Sequence, residues 1–445
     1  MRMNKLLRFL TALTLVVAGF FLTKYAFPKS ASRYPAFVVL VLIDLYFWSF
    51  LKSTIFTYNK RIKSIIAGLY WLPFASLVGA VGYAAISPFT EWNDSFRIYL
   101  FGMVFIAYAA KIIPVIILLI SDMIRFTVRS VSRKKIRERK ETLRTASGGI
   151  NRGRFISNLA LITGGLMFSS MFAGMLKWVH DFRIHRQRLR IAGLPASFDG
   201  FRIVQISDIH LGSWANEDQL SDAVELINQE EPDIIVFTGD LVNYATDEAF
   251  RFKEILAGLR AGQGIYAILG NHDYGDYKNW PSRQAKKKNM DDLFGFFHDL
   301  DWTLLRNSHI VFEQNEEKLA LIGVENWSAN TRFPQLGDVV KASKGLGKVP
   351  VKILLSHDPS HWEVVKAQHP DIQLTLSGHT HGFQFGIEIP GLKWSPAQYL
   401  YQKWAGLYTD EQTGQMLYVN RGLGSIGYPG RIGILPEITV IDLEA

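Results

Sequence analysis

Side chains that can bind metal ions follow five predicted strands in the C-terminal half of this 445-residue chain. The strands are short runs rich in isoleucine and valine, at 201–207, 233–238, 264–269, 351–356 and 372–377. The side chains that follow them are Asp208, His210, Asp240, Asn271, His272, Asp273, His357, His379 and His381. Because ligand sites in α/β sheets form where loops converge at the carboxyl ends of strands, we expect these groups to meet in space.

The ligand types indicate a pair of divalent metal ions. Carboxylate, imidazole and amide groups suit Mn, Fe or Zn, and the chain has no cysteine, which excludes thiolate sites and disulfides. A set this large is more than one ion needs, whereas two ions that share a carboxylate can use it. Such a pair clamps the attacking and leaving oxygens of a displacement at phosphorus and makes hydroxide available near neutral pH.

Each motif is weak evidence by itself, since an Asp-x-His or His-x-His pattern recurs by chance. The whole set is much stronger, because chance would have to place ligands after five separate strands. The glycines before Asp240, Asn271 and His379 fit the same site. They allow sharp turns and a close approach of the backbone where the side chains must converge.

The five blocks resemble the motif set of the calcineurin-like metallophosphoesterases. They match D-x-H, G-D, G-N-H-[DE], H and G-H-x-H in order within residues 198–445, and the whole chain is similar to the membrane-attached branch of that family. The resemblance implies two mixed β-sheets packed face to face, with helices outside. It assigns one metal to Asp208, His210 and His381, the other metal to Asn271, His357 and His379, and a bridging position to Asp240. It also implies that His272 binds the substrate phosphate and protonates the leaving group, while Asp273 orients His272.

The end of the chain, residues 417–436, resembles the closing strands of one bacterial subgroup of this family. It contains Arg421 and Arg431, which could contact phosphate through bidentate hydrogen bonds. The alternative for both residues is a structural salt bridge. Phe383 departs from the subgroup, which often has a second glycine there, and we expect its ring to narrow or reshape the substrate pocket.

Short strand-like runs alternate with helix-like stretches after residue 198, and this pattern predicts an α/β domain with a mixed sheet. A further buried strand is predicted at 319–324, and amphipathic helices are predicted at 216–229 and 247–259. The connection 274–299 carries three consecutive lysines, 286–288. It is interpreted either as a substrate-facing flap or as a solvated loop or helix.

The N-terminal part of the chain has the composition of a membrane domain. Residues 1–200 carry 28 basic and 8 acidic side chains, against 21 and 32 in residues 201–445. The basic clusters lie between five apolar segments, 6–27, 34–56, 65–87, 98–120 and 155–179, each near or above the ~20 residues that cross a bilayer. The first segment could be a signal peptide, but its length and the lack of a small-residue cleavage site favour an uncleaved helix. Asp44 and Lys111 lie inside the segments, where charged residues are candidates for function. We favour a structural role for them, either as a pair or with Lys111 snorkelling to the membrane surface.

The basic loops predict an orientation. Positive charge concentrates after the second segment, at Lys52 and at 60–63, and after the fourth, where six basic residues lie between 133 and 140. Because positive loops stay on the cytoplasmic side, the N-terminus is expected in the cytoplasm and everything after residue 179 outside it. Four arginines between 183 and 190 favour the opposite placement if the fifth segment lies flat or is re-entrant.

We therefore expect residues 1–180 to form a transmembrane region, 181–197 a juxtamembrane linker and 198–445 the metallophosphoesterase domain. The expected reaction is hydrolysis of a phosphodiester, pyrophosphate or phosphomonoester, which is either soluble or lipid-linked. Tethering beside a bilayer would concentrate a lipid-linked substrate. The alternative is a non-catalytic, metal-binding membrane scaffold or sensor with the same fold. The expected partners are the bilayer and the substrate, with no specific nucleic acid and no protein partner, at a bacterial plasma membrane.

Overall fold

The computed structural model describes residues 5–87, 89, 92–131 and 152–445. The chain divides into two compact units, Met1–Phe172 and Ala173–Ala445. The basic residues between 133 and 140, on which part of the predicted orientation rests, lie outside the described residues.

Helices make up the N-terminal part of the chain. They are α1 (Lys5–Ala26), α2 (Tyr34–Thr54), α3 (Lys60–Ala84), α4 (Asp94–Val131) and α5 (Arg152–Leu176). Long apolar segments become helices because a helix satisfies every backbone hydrogen bond internally when no water is present. Among the described residues, four helical segments are long and apolar enough to span a membrane: Ala31–Thr54, Lys60–Ala84, Asp94–Val128 and Phe155–His180. In α1, the apolar stretch Thr11–Ala26 is shorter, so a fifth crossing stays a prediction.

The two charges predicted inside the spans form a buried pair. Lys111 Nζ lies 2.5 Å from Asp44 Oδ1. Tyr108 donates its hydroxyl to Asp44 Oδ2 at 2.7 Å, and the Tyr70 hydroxyl donates to the Asp44 backbone carbonyl at 2.7 Å. Because each charge is neutralised and hydrogen-bonded, the interpretation as a structural pair is confirmed.

The C-terminal unit contains two six-stranded mixed sheets and a two-stranded hairpin. The first sheet has the order β1 (Arg183–Arg190), β14 (Glu437–Glu444), β2 (Arg202–Ile206), β3 (Ile234–Phe237), β4 (Ile265–Ala267) and β5 (Trp302–Leu304). The second has the order β12 (Gly406–Thr409), β13 (Met416–Val419), β9 (Leu374–Ser377), β8 (Val351–Leu355), β7 (Glu317–Gly323) and β6 (Ser308–Gln314). The hairpin is β10 (Ile387–Ile389) with β11 (Leu392–Trp394).

The two sheets pack face to face around a central apolar core. Alternate side chains of each strand divide between this core and an outer layer: Ile203 of β2 points into the core with Ile353 of β8, whereas Val204 packs on the other face of its sheet. Helices cover both outer faces. The predicted architecture of two packed mixed sheets flanked by helices is therefore confirmed, and all six predicted strands are present.

The helices of this unit are α6 (Asp218–Asn228), α7 (Lys253–Leu256), α8 (Arg283–Asp299), α9 (Val339–Ala342) and α10 (Trp362–Gln368). The prediction for 216–229 is confirmed, since α6 buries Leu220, Ala223, Val224 and Ile227 at helical spacing. The prediction for 247–259 was mostly wrong. Only the four residues of α7 are α-helical there, and two 3₁₀ turns, Thr246–Glu248 and Phe250–Phe252, precede them.

Candidate binuclear metal centre

Five strands of the two sheets deliver the predicted site residues to one place. Strands β2, β3 and β4 run parallel in the first sheet, and β8 and β9 run parallel in the second. Their carboxyl ends carry, in order, Asp208 with His210, Asp240, Asn271 with His272, His357, and His379 with His381. Because both sheets turn these ends toward the same edge of the core, residues up to 173 positions apart in the sequence become neighbours.

Asp208, His210 and His381 form the first group of ligand atoms, and all three are buried. His210 Nε2 lies 3.1 Å from His381 Nε2. His381 Nε2 in turn lies 3.2 Å from Asp208 Oδ1. Three donor atoms that converge in this way fit a single divalent ion.

Asp240, His357 and His379 form the second group. His357 Nε2 lies 3.2 Å from Asp240 Oδ2 and 3.3 Å from His379 Nδ1. Asn271 is buried beside them, and its Oδ1 has no hydrogen-bond partner among the described residues. An unpaired buried amide oxygen is costly, so a fourth ligand position at Asn271 explains it.

Asp240 lies between the two groups. Its Oδ2 is 3.2 Å from His357 Nε2 and 3.5 Å from His210 Nε2. Its Oδ1 accepts the backbone N–H of His272 at 2.8 Å, which holds the carboxylate in place. This is the position that a carboxylate shared by two ions requires.

The electrostatics of the site suit metal binding. Burial by itself raises the pKa of the Asp240 carboxyl, but His357 and His272 hold that pKa well below its usual range. Burial lowers the pKa of the His210 imidazole to about 3, and it lowers that of His379 as well. These groups are therefore an anionic carboxylate and neutral imidazoles, the forms that bind metal.

His357 differs from the other histidines. Burial by itself lowers the pKa of its imidazole, but the carboxylate of Asp240 raises the net pKa to about 10. The negative charge of Asp240 therefore favours the protonated ring, whereas a metal ion would require the neutral one.

Backbone strain concentrates at the same residues. Asp208, His210, Asp240, His379 and His381 all have φ between 50° and 74°, in the left-handed region. Such conformations cost on the order of 1–3 kcal/mol each and persist where the surrounding fold enforces them, chiefly at functional sites. The strained backbone therefore lowers the stability of the fold, and it directs these side chains toward the site.

The positions before the ligands require glycine, because a Cβ there would overlap neighbouring atoms. A Cβ at Gly270 would lie 2.2 Å from Asp240 Oδ1, and a Cβ at Gly378 would lie 2.3 Å from Asp208 Oδ2. Gly239 also has a φ of 98°, which disfavours any other residue. The predicted role of these glycines in close backbone approach is confirmed.

Two of the candidate ligand histidines are oriented by a hydrogen bond to the ring nitrogen that faces away from the site. His357 donates its Nδ1–H to the backbone carbonyl of Thr238 at 2.7 Å. His379 Nε2 is hydrogen-bonded to the hydroxyl of Tyr401 at 2.9 Å, which leaves Nδ1 directed at the site. Outer contacts of this kind fix the ring orientation of metal ligands. Tyr401 was not predicted from the sequence, since no local motif marks it.

His272 lines the site next to the two groups. Its Nδ1–H donates to the backbone carbonyl of Asn243 at 2.8 Å, and its ring packs edge-on against His210. With Nδ1 occupied, the other ring nitrogen, Nε2, is the one available to a substrate. The residue that orients His272 is thus Asn243.

Asp273, to which the orienting role was assigned, has a different position. Its carboxylate accepts backbone N–H groups from Asp240 at 2.9 Å and Gly270 at 2.8 Å, and from residues 241 and 242. Burial and the charge of Asp240 raise the pKa of this carboxyl to about 7. Asp273 therefore ties the loops after β3 and β4 together, and it does not contact the His272 side chain.

Both candidate phosphate-binding arginines already have hydrogen-bond partners within the protein. Arg421 pairs with Glu437 and Glu388, the structural salt bridge considered as the alternative. Arg431 is fully buried and donates to the backbone carbonyls of residues 421, 422 and 424. The described residues that line the cavity include neither arginine. A phosphate contact would require one of these interactions to break.

The site residues lie within a chain whose sequence matches known proteins. Residues 201–383 match the family described as "Calcineurin-like phosphoesterase", and residues 29–178 match "Probable Calcineurin-like phosphoesterase, transmembrane domain". The chain is 30% identical to the uncharacterized metallophosphoesterase YkuE of Bacillus subtilis, over 60% of this chain and 87% of that protein. The chain belongs to the calcineurin-like phosphoesterase family. With its transmembrane domain, it is a membrane protein of that family.

Two other relatives differ in how much of their length is matched. The chain is 35% identical to the transmembrane protein with metallophosphoesterase domain of Danio rerio, over 56% of this chain and 55% of that protein. It is 30% identical to the UDP-2,3-diacylglucosamine pyrophosphatase LpxG of Chlamydia trachomatis, over 57% of this chain and 88% of that protein. The chain therefore spans only about half the length of the Danio protein that it matches.

The candidate metal centre opens into a cavity of about 350 Å³ whose walls are partly aromatic. Phe333, Phe383 and Tyr401 line it together with the ligand residues. Phe383 has a φ of 54°, in the left-handed region that glycine adopts most readily. The ring is 41% exposed at the cavity, where the sequence predicted that it would reshape the pocket.

The connection 274–299 combines both interpretations made from the sequence. Its lysines lie on α8, a helix capped by Ser282, so the helical alternative holds for that part. The loop before α8 reaches the site: Tyr277 stacks on His272 at 4.2 Å between ring centroids, and its hydroxyl accepts a hydrogen bond from Asn271 Nδ2 at 2.8 Å. Tyr277 leaves the amide oxygen of Asn271 free to face the metal site.

Proposed function

We propose that this protein hydrolyses a phosphate ester with two divalent metal ions, Mn, Fe or Zn. The observation that carries the proposal is the convergence of two ligand groups on either side of Asp240 Oδ2. Asp208, His210 and His381 would hold one ion, and Asn271, His357 and His379 the other. When bound, such a pair supplies a hydroxide nucleophile near neutral pH and neutralises charge on the phosphate.

His272 is proposed as the catalytic acid and phosphate contact. The Asn243 carbonyl accepts its Nδ1–H at 2.8 Å and so sets the tautomer and the ring plane. When Nε2 carries a proton, it can donate a hydrogen bond to a phosphate oxygen and then pass that proton to the leaving oxygen. Tyr277, stacked on the other side of the ring, restricts its rotation.

We infer that the substrate is lipid-linked. Two observations support this: the site is in the same chain as membrane-spanning helices, and one relative is named as a pyrophosphatase of UDP-2,3-diacylglucosamine. Tethering raises the effective concentration of a substrate in the same bilayer. A pyrophosphate or phosphodiester that carries acyl chains is therefore the substrate class that we favour over a soluble monoester.

A substrate panel tests the reaction and the substrate class together. Full-length protein in mixed micelles with Mn²⁺ is expected to hydrolyse a diacylated pyrophosphate at least about tenfold faster than an aryl phosphate monoester. Chelation of the metal should stop both reactions. Tight metal binding without turnover of any phosphate would instead favour a non-catalytic scaffold or sensor.

We also propose that the phosphoesterase domain lies outside the cytoplasm. The basic loop at 52–63 supports a cytoplasmic position for the α2–α3 connection. The arginines between 183 and 190, which favour the opposite placement, belong to the folded strand β1, where Arg186 pairs with Glu230. In sealed inverted vesicles, added protease is expected to leave residues 198–445 intact until detergent is added. Digestion without detergent would place the domain in the cytoplasm.

A further inference from the structure

Exposed apolar side chains cluster beside the mouth of the cavity. Twelve large apolar side chains between residues 181 and 445 are exposed, and six of them fall within residues 383–400. We define the hairpin surface as Ile387, Ile389, Leu392, Tyr399 and Leu400. Ile389 is 57% exposed, and Leu400 is 73% exposed. A cluster of this kind marks a contact surface, whereas single exposed apolar residues do not.

The two faces of the hairpin differ in polarity. In the β10–β11 register, Ile387 pairs with Trp394 and Ile389 with Leu392, and these side chains share one face. The pair between them, Glu388 with Lys393, lies on the other face of the hairpin. The hairpin therefore has one face that carries only apolar side chains and one face that carries its charges.

Both charged side chains of the hairpin are bound by the domain. Glu388 accepts the guanidinium of Arg421, with Nη2 2.5 Å from Oε1. Lys393 Nζ donates to the Ala405 carbonyl at 2.6 Å and lies 5.0 Å above the ring of Trp404. The hairpin is thus anchored through its polar face, which leaves the apolar face exposed.

The same segment is joined to the end of a membrane-spanning helix. Gly174 lies in α5, inside the candidate span Phe155–His180, and its carbonyl accepts the backbone N–H of Arg431 at 3.3 Å. The next residue, Ile432, accepts the N–H of Gly386 at 2.9 Å, one residue before β10. Two hydrogen bonds therefore connect the hairpin to the end of a candidate membrane-spanning helix.

We propose that the hairpin surface contacts the lipid bilayer and holds the cavity mouth at the level of the lipid headgroups. The connection to α5 selects the bilayer over a second copy or a protein partner, because the chain itself keeps this surface near the membrane. Phe383 and Tyr401, which flank the segment in sequence, also line the cavity. A headgroup phosphate could then enter the site while its acyl chains stay in the bilayer. This consequence for the substrate rests on the proposed function, whereas the contact itself does not.

The absence of cysteine allows a direct test by labelling. Ile389→Cys and Leu392→Cys, each made in the full chain, are labelled with an environment-sensitive fluorophore and reconstituted in phosphatidylcholine vesicles with a lipid-linked quencher. Ile162→Cys, on an exposed face of α5, is the reference inside the bilayer, and Glu313→Cys, in β6, is the reference in water.

Quenching at 389 and 392 is expected to approach that at 162 and to exceed that at 313 by about threefold or more. Quenching no greater than at 313 would overturn the proposal. A blue-shifted emission without lipid quenching would also overturn it, because a protein surface would then cover the hairpin.

A second measurement separates this proposal from the catalytic one. Ile389→Asp with Leu392→Asp is expected to lower hydrolysis of the lipid-linked substrate about tenfold, because carboxylates resist insertion at a bilayer surface, and to spare a soluble aryl phosphate. Val340→Asp, at an exposed apolar residue of α9, is the matched control and should change neither rate. If the hairpin variant changes the rates on both substrates by the same factor relative to the wild type, the proposal is contradicted. If the wild-type protein hydrolyses no phosphate, the proposed function fails, and the quenching result alone decides the hairpin contact.

Discussion

Replacement of Asp240 by asparagine is expected to reduce metal-dependent phosphate hydrolysis by ~10³-fold or more, about 4 kcal/mol of transition-state stabilisation. The Oδ2 atom of Asp240 lies 3.2 Å from His357 Nε2 and 3.5 Å from His210 Nε2, so both ions would share its charge. Asparagine tolerates the φ of 63° at this position and keeps the bond from the His272 backbone N–H. The substitution therefore removes charge with little change of shape. The measurement is kcat/KM with saturating Mn²⁺, together with the number of metal ions bound per chain.

Asp299→Asn provides the matched control for Asp240→Asn. Asp299 is a surface carboxylate that pairs with Lys253, with 53% of its side chain exposed. It should show wild-type turnover and metal content. Full activity of Asp240→Asn with two bound ions would refute the assignment of Asp240 as the shared ligand.

Replacement of Glu437 by glutamine is expected to lower the free energy of unfolding by about 3 kcal/mol. Glu437 is fully buried, pairs with Arg421, and accepts the hydroxyl of Tyr418 at 2.6 Å. Without the carboxylate, the buried guanidinium keeps only Glu388, and removal of one partner leaves much of a buried charge uncompensated. The measurement is the unfolding midpoint of the detergent-solubilised chain, followed by tryptophan fluorescence.

Glu388→Gln is the control at the other carboxylate of the same arginine. The Glu388 side chain is 30% exposed, so water compensates part of its loss, and we expect a change of ~1 kcal/mol or less. Equal midpoints for Glu437→Gln and the wild type at neutral pH would contradict the importance of the buried pair.

The effect of Glu437 should depend on pH in one direction. Burial by itself raises the pKa of this carboxyl, but Arg421 lowers the net pKa from 4.5 to about 2. A lowered pKa contributes stability above the unfolded value of 4.5, and that contribution is lost as the pH falls toward 2. The difference between wild type and Glu437→Gln should therefore shrink as the pH is lowered from about 5 to about 3.

Local sequence patterns predicted the elements of this protein well. Runs such as Ile234–Phe237 are short, rich in β-branched residues and bounded by polar residues, which favours a buried strand. The ligands follow such runs directly, and the ends of adjacent parallel strands meet at one sheet edge. The position of the site therefore followed from the sequence before any contact was known. Four of the five predicted spans followed from length and hydropathy alone.

Local patterns failed for contacts between distant segments. Strand β1 was missed because its arginines mask it, and it forms by pairing in register with β14, more than 240 residues away. The strands of the hairpin are three residues each, too short for a period-two pattern to be read. In the sequence, Arg421 and Arg431 are candidate phosphate ligands. The structure shows that a carboxylate binds Arg421 and that backbone carbonyls bind Arg431.

The sequence by itself determined the fold class, the family, the ligand types and the edge of the sheets at which they gather, because these follow from residue type and short-range periodicity. Only the tertiary structure decided that Asp240 lies between the two groups, that Asn243 rather than Asp273 orients His272, and that Tyr401 holds His379. It also placed an apolar hairpin next to the end of α5. These relations depend on which side chains the packed core brings within about 3 Å of each other, and a pattern read along the chain carries no such distance.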